Sequence, residues 1–233
     1  MHERASKVCK EADPATRPGG DRGVDIVRDS TGKFRDAAKA CAHSDAGARK
    51  VIVSAPATGD DITIVLGVNE ASYDPERHHI ISNASCTTNC LVPAVKVVHD
   101  LVTIERGLMN TVHSYTTAQR LLDTAHRDPR RARAAALDII PTTSEATRSL
   151  GRAMPELDGN IDGFSLRCPT PQVRADDFTS HTPHRPPAAE AHVLPLAPAA
   201  TGYGRAGGRH RRAKPARPGS RRISSARAPV PRP

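Results

Sequence analysis

The segment Ser82-Asn83-Ala84-Ser85-Cys86-Thr87-Thr88-Asn89-Cys90 sets a cysteine directly behind small polar residues of the kind that cap helices. A helix N-terminus carries about half a positive charge and amide N–H groups without intrahelical partners. A thiol held there ionises more readily, and the thiolate is the reactive form. The same amides are suited to hold an oxyanion formed when sulfur attacks a carbonyl carbon. Cys86 is therefore the candidate nucleophile. Cys90 lies one turn further along the same face, where the two could share a metal. No second ligand pair at short spacing accompanies them, so no metal site is expected. Cys9, Cys41 and Cys168 lack this context and are expected to be inert buried residues, as most cysteines are.

A second candidate is His113, in Thr111-Val112-His113-Ser114-Tyr115-Thr116 at the end of an apolar run. Alone it reads as a hydrogen-bonded structural histidine; beside a thiolate it becomes a general base or acid. The run Arg127-Asp128-Pro129-Arg130-Arg131-Ala132-Arg133 reads first as a solvated charged loop. Arginine, however, binds phosphate in a bidentate fork, and Arg167 stands just before the turn Pro169-Thr170-Pro171. A thiol, an imidazole and arginine anion sites together suit a phosphorylated aldehyde.

The elements that must position these groups follow from periodicity. Val24–Val27, Val51–Val53, Ile62–Val68 and Ile80–Ile81 read as strands, with a helix over Phe34–Ala46, a pattern that predicts a parallel sheet covered by helices. Leu91, Ala94, Val95 and Val98 recur at helical spacing, which predicts a helix from Cys86 to about Asp100, kinked but not stopped at Pro93. Ile104–Tyr115 reads as a long strand, residues 116–136 as an exposed loop, Ser144–Met154 as a helix capped by Thr143 or Ser144, and Ile161–Arg167 as a further strand. Beyond Asp177 the periodicity gives way to Ala, Pro, Arg and Gly. That composition buries too little apolar surface to offset ordering entropy and predicts disorder.

The pI of about 9.8 is a property of the tail. From His181 onward the 233-residue chain holds eleven Lys and Arg against one acid, Glu190, so the preceding residues carry 23 cations and 24 anions. A nucleic-acid role for the whole chain therefore does not follow from its charge. The tail itself has one aromatic, Tyr203, and no recognisable nucleic-acid-binding motif. Five cysteines without framework spacing suit a reducing compartment. The charged start Met1-His2-Glu3-Arg4 and the lack of any apolar run near ~20 residues predict a soluble, cytoplasmic protein without a membrane span.

Residues from about Lys7 to Asp177 resemble glyceraldehyde-3-phosphate dehydrogenase, the family that oxidises an aldehyde with NAD and captures the acyl group as an acyl phosphate. The resemblance rests on Ser85-Cys86-Thr87-Thr88-Asn89-Cys90, His113-Ser114-Tyr115-Thr116, the Arg-Arg-Ala-Arg run from Arg130, Ile139-Ile140-Pro141-Thr142-Thr143, and Arg167 before Pro169-Thr170-Pro171. Gly23-Val24-Asp25-Ile26-Val27 and Ser30-Thr31-Gly32-Lys33-Phe34 match upstream. It implies Cys86 as nucleophile through a thioester and His113 as its acid–base partner. It further implies Thr116 and Arg167 on the phosphate of glyceraldehyde 3-phosphate, and Ser85, Thr87, Arg131 and Ser144 on inorganic phosphate. Thr31 and Ser54 would lie near NAD, and the family's assembly is a homotetramer. The implied fold is α/β plus α+β: a truncated Rossmann-like parallel sheet as remnant of an NAD-binding domain over residues 1–85, part of an antiparallel substrate domain over 86–177, and a disordered basic tail over 178–233.

Three departures accompany the resemblance. Nothing before Gly23 resembles the strand, glycine-rich turn and helix that receive a dinucleotide pyrophosphate. Glu145 stands where the family has glycine in the inorganic-phosphate site, and past the Pro-Thr-Pro turn the basic tail replaces the family's later strands and final helix. A shifted reading frame would produce such a tail, and translating the gene in its other two frames tests that. Sequence leaves open both a working dehydrogenase and a catalytically incomplete remnant.

Overall fold

The computed structural model describes residues 8–183 and the backbone of residues 221–226. The chain divides into two compact units, one running to Ile64 together with Ala71–Ala84, the other comprising Val65–Glu70 and the chain from Ser85 onward.

The first unit is a four-stranded parallel sheet of β1 (Ile26–Asp29), β2 (Lys50–Val53), β3 (Ile62–Thr63) and β4 (Ile80–Ser82), in the order β1-β2-β4-β3. Between β1 and β2 lie two short helices, α1 (Ala37–Ala40) and α2 (Ala42–Asp45). Val51, Val53 and Ile80 point to one face and pack with Ala40 and Ala57, all nearly or wholly shielded from water. One continuous helix over 34–46 was expected. Instead Asp36 caps the first piece by accepting from the Ala38 N–H, and the helix breaks at Cys41. The strand expected over 62–68 ends at Thr63, because the Val65 N–H turns to the Asn69 side chain instead of a ladder partner.

The second unit holds the helix that begins at Cys86, α3 (Cys86–Val102), followed by β5 (Arg106–Ser114), β6 (Ile140–Thr143), α4 (Ala146–Ala153), β7 (Ile161–Cys168), β8 (Arg174–His181) and β9 (Arg221–Ala226). The strands form one sheet in the order β6-β7-β5-β8-β9. α3 runs through Pro93 and buries Leu91, Val92, Val95, Val98 and Val102. That stripe corresponds to about 10 kcal/mol of gross transfer free energy, an upper bound because the unfolded chain already shields part of it. α3 packs against α4 and β8.

Two expectations are corrected here. The second sheet is mixed, not antiparallel: β5 and β7 run parallel, while β6–β7, β5–β8 and β8–β9 are antiparallel. The connection from β5 to β7 carries a strand and a helix, long enough for the crossover a parallel pair requires. The expected disorder from residue 178 is also displaced. Residues 178–181 continue β8 and residues 221–226 pair with it, because the unpaired N–H and C=O groups of a strand edge find partners there. Residues 184–220 and 227–233 lie outside the described residues. Among the described residues no helix is long and apolar enough to cross a membrane.

Candidate active site

Cys86 is the first residue of α3, and Ser85 caps it. Ser85 holds the extended conformation of an N-cap, and its Oγ accepts from the Thr88 N–H at 3.0 Å. The Ser85 carbonyl accepts from the Asn89 backbone N–H and side-chain Nδ2, both at 2.9 Å, closing the first turn. Ahead of the cap, Ala84 sits at φ 54°, a left-handed conformation unusual for a residue with a Cβ, which turns the chain sharply between strand and helix. The Cys86 side chain is left solvent-accessible.

The histidine reaches it. His113 Nε2 lies 3.6 Å from Cys86 Sγ. In the sheet ladder His113 on β5 is registered with Arg167 on β7 and with Arg174 on β8, so one row across three strands reads Arg-His-Arg on a single face. His113 Nδ1 lies 2.8 Å from the Ser114 carbonyl oxygen and 2.8 Å from Arg167 Nη1. The carbonyl only accepts and the guanidinium only donates. The imidazolium form therefore gives its Nδ1–H to Ser114, while the neutral form protonated on Nε2 accepts from Arg167 at Nδ1. In these two forms an Nε2–H faces the sulfur, whereas the neutral form protonated on Nδ1 gives that proton to Ser114 and leaves Nε2 to accept from the thiol.

These contacts lower the Cys86 thiol to about 7: the hydrogen bond from His113 dominates, burial opposes it, and the Arg174 and His113 charges and the Thr87 hydroxyl add to the lowering. A free cysteine is only a few per cent ionised at pH 7, so about half-ionisation there is a large gain in nucleophile. Burial pushes the Arg167 guanidinium below its ordinary value; the Cys86 thiolate opposes this, and the neighbouring Arg131 and Arg174 charges add to it. Arg167 and Arg174 thus act electrostatically on the thiolate, with Arg131 acting on Arg167, and such cationic groups suit anions.

The other expected residues fall as follows. Thr116 follows β5, its backbone N–H donating to Gln119 Oε1 at 3.2 Å. Arg131 lies in a 3₁₀ turn, Pro129–Ala132, with its Nε 3.6 Å from Asp128 Oδ2. Thr87 is buried, and its Oγ1 accepts from Arg174 Nη1 at 3.1 Å. Ser144 precedes α4, its Oγ accepting from the Ala146 N–H at 3.2 Å, and Glu145 occupies the cap position with an exposed side chain. Cys9 and Cys41 are exposed and Cys168 half-buried, against the burial expected of them. Among the described residues no group of three or more His, Cys, Asp or Glu is placed to hold a metal. Arg174 went unrecognised in the sequence. β8 buries Arg174, Asp176 and Phe178 in alternation, and two ionic residues at inward positions hide the apolar period that marks a half-buried strand.

Thr31 and Ser54 belong to the first unit, past the carboxyl ends of the adjacent parallel strands β1 and β2, where open sheets of this kind hold ligands. The Thr31 hydroxyl is committed to Asp29 Oδ1 at 2.8 Å, and Asp29 Oδ2 lies 2.9 Å from His43 Nε2 in a buried pair. Ahead of β1 the described residues form only 3₁₀ turns, Pro14–Thr16 and Gly20–Arg22. Gly19 uses its smallness for packing: a Cβ on it would meet the Ala46 carbonyl oxygen at 2.7 Å. Among the described residues no strand, glycine-rich turn and helix N-terminus stands ahead of β1 to receive a dinucleotide pyrophosphate.

A thiol in hydrogen-bond contact with an imidazole, at a helix N-terminus and flanked by arginines on a mixed sheet, defines a cysteine-dependent nucleophilic site. Residues 85–200 match the family model described as glyceraldehyde 3-phosphate dehydrogenase, C-terminal domain. The chain is 58% identical over 180 residues to glyceraldehyde-3-phosphate dehydrogenase 1 of Streptomyces arenae, covering 77% of this chain and 54% of that protein. It is 54% identical over 173 residues to the glyceraldehyde-3-phosphate dehydrogenase of Geobacillus stearothermophilus, covering 74% and 52%. With that of Mycobacterium avium it shares 57% over 167 residues, covering 72% and 49%. The chain belongs to the glyceraldehyde-3-phosphate dehydrogenase family and spans about half the length of these relatives.

Proposed function

We propose that this chain carries the aldehyde-capturing half of a glyceraldehyde-3-phosphate dehydrogenase, an oxidoreductase of glycolysis working in the cytoplasm. The observation that supports it most is the 3.6 Å contact between Cys86 Sγ and His113 Nε2 at the capped start of α3. The Cys86 thiolate adds to the aldehyde carbon of glyceraldehyde 3-phosphate. A C–S bond forms, the C=O π pair moves to oxygen, and the imidazolium form of His113 delivers its Nε2 proton to that oxygen, leaving a neutral hemithioacetal and a neutral imidazole whose Nδ1–H stays on the Ser114 carbonyl. Arg167 and Thr116 anchor the substrate's phosphate. Ser85, Thr87, Arg131 and Ser144 serve the inorganic phosphate that later releases the acyl group. Fixing both anions about one carbon converts encounter into an intramolecular reaction.

NAD is the hydride acceptor that family membership implies. Because the described residues build no pyrophosphate cradle, the steps derived from this chain end at the covalent adduct. The second reading, a chain without dehydrogenase activity, draws its support from Glu145, a carboxylate beside Ser144 that would repel inorganic phosphate.

Protection of Cys86 against alkylation tests adduct formation without needing hydride transfer. Glyceraldehyde 3-phosphate should protect at concentrations where glyceraldehyde, lacking the phosphate, does not. Arg167→Met should remove the discrimination by about tenfold to a hundredfold, the range for a hydrogen bond to a charged group. Equal protection by both aldehydes would overturn the assignment of the substrate, and protection by neither would overturn aldehyde capture.

A further inference from the structure

We propose that Arg174 is a positioning residue for Cys86, bracing the first turn of α3 from β8 and presenting to the sulfur a buried cation whose strength Asp176 sets. The proposal rests on Cys86 being the nucleophile. Arg174 is 8% exposed. Its Nη1 donates to Thr87 Oγ1 at 3.1 Å and its Nη2 donates to the carbonyl oxygen of Cys86 itself. The guanidinium thus grips both residues of the helix start through one rigid fork, which a lysine could not reproduce. Its Nε lies 3.3 Å from Asp176 Oδ2, in a pair with 7% and 2% side-chain exposure.

The placement is costly unless it serves something. Both Asp176 carboxylate oxygens and Arg174 Nε are buried without a well-formed hydrogen bond. Removing two charges from water costs several kcal/mol per ion, and pairs so poorly satisfied are often no better than apolar replacements. What the pair does achieve is local. A fully buried cation acts through a low effective dielectric and is little screened by salt, unlike exposed Arg130 or Arg133. The groups facing the sulfur are then His113 from β5, Arg167 from β7 with Arg131 beside it, and Arg174 from β8 with Asp176 behind it. Asp176 is the carboxylate paired with Arg174, as Asp128 is with Arg131, so it attenuates Arg174 without touching the thiol.

The pH dependence of Cys86 alkylation by iodoacetamide, resolved by peptide mass in the full chain, separates a charge role from a brace. Asp176→Asn unmasks the cation and should speed alkylation at pH 6 by about two- to fivefold. Arg174→Met with Asp176→Asn removes both charges without leaving a bare buried carboxylate, and should slow it by about tenfold, one unit of midpoint. Arg174→Lys keeps the charge and loses the fork, so it should hold the midpoint while lowering the melting temperature. Coincident midpoints in wild type, Asp176→Asn and the double variant would overturn the proposal, as would slower alkylation in Asp176→Asn. An ordinary thiol midpoint in the wild type would instead overturn Cys86 as the activated nucleophile, so the two failures are distinguishable.

Discussion

At the scale of single residues, the site reduces to which protons and charges surround one sulfur. Replacing His113 by Asn removes the hydrogen bond that contributes most to lowering the thiol. The Cys86 alkylation rate at pH 6.5 should then fall by about tenfold, the consequence of a midpoint moved up by about one unit. The buried Asp29 offers a second test, in the first unit. Burial pushes its carboxyl up, but the hydrogen bonds from His43 and Thr31 outweigh it, so its folded value lies below the ordinary one. A group depressed in this way stabilises the fold above its unfolded value, near pH 4, and loses that contribution as pH falls through the folded value. Asp29→Asn should therefore cost about 2 kcal/mol at neutral pH and flatten the acid limb of the stability curve, read by chemical denaturation from pH 7 to 3. Cys86, His113 and Arg167 were legible as types in a pattern. That His113 and Arg167 share one row with Arg174 was not, because β-strand register depends on pairings remote in sequence.

At the scale of elements, the setting of Cys86 depends on α3 starting directly behind its cap, Ser85. Ser85→Ala deletes the acceptor for the Thr88 N–H and should cost about 1 kcal/mol of stability while raising the thiol midpoint. The parallel pair β5–β7 is packed closely enough to be tested at one atom. A Cβ on Gly163 would fall 2.5 Å from the Met109 carbonyl oxygen, which as backbone cannot move aside freely. Gly163→Ala should lower stability by about 1–3 kcal/mol in a denaturant melt. Strong periodic elements such as α3, β5 and β7 were legible to within two residues. The helix over 34–46 and the strand over 62–68 were not, because one side-chain cap and one side-chain acceptor redirected the backbone, and periodicity does not register such local competitors. β8 was hidden for a different reason: its inward face is ionic.

At the scale of the whole molecule, one face of the second sheet carries the row through His113 while the other shows Leu108, Val112 and Phe164, which are 52%, 37% and 44% exposed. Apolar surface on a paired sheet face marks association. Sedimentation velocity should show self-association that Leu108→Lys with Phe164→Lys shifts toward monomer; monomeric behaviour of the wild type would remove that expectation. Composition separated the basic tail from the rest of the chain, but it did not reveal that residues 221–226 return to the edge of β8. A six-residue pairing formed far along the chain leaves no periodic trace.

Its imidazole and guanidinium neighbours hold Cys86 substantially ionised at neutral pH. The rate of Cys86 carboxamidomethylation, followed by peptide mass from pH 5 to 10 in the wild type, tests it most directly. Half-maximal rate near pH 7 is the expected result. A midpoint near the ordinary cysteine value of about 8.5 would contradict it.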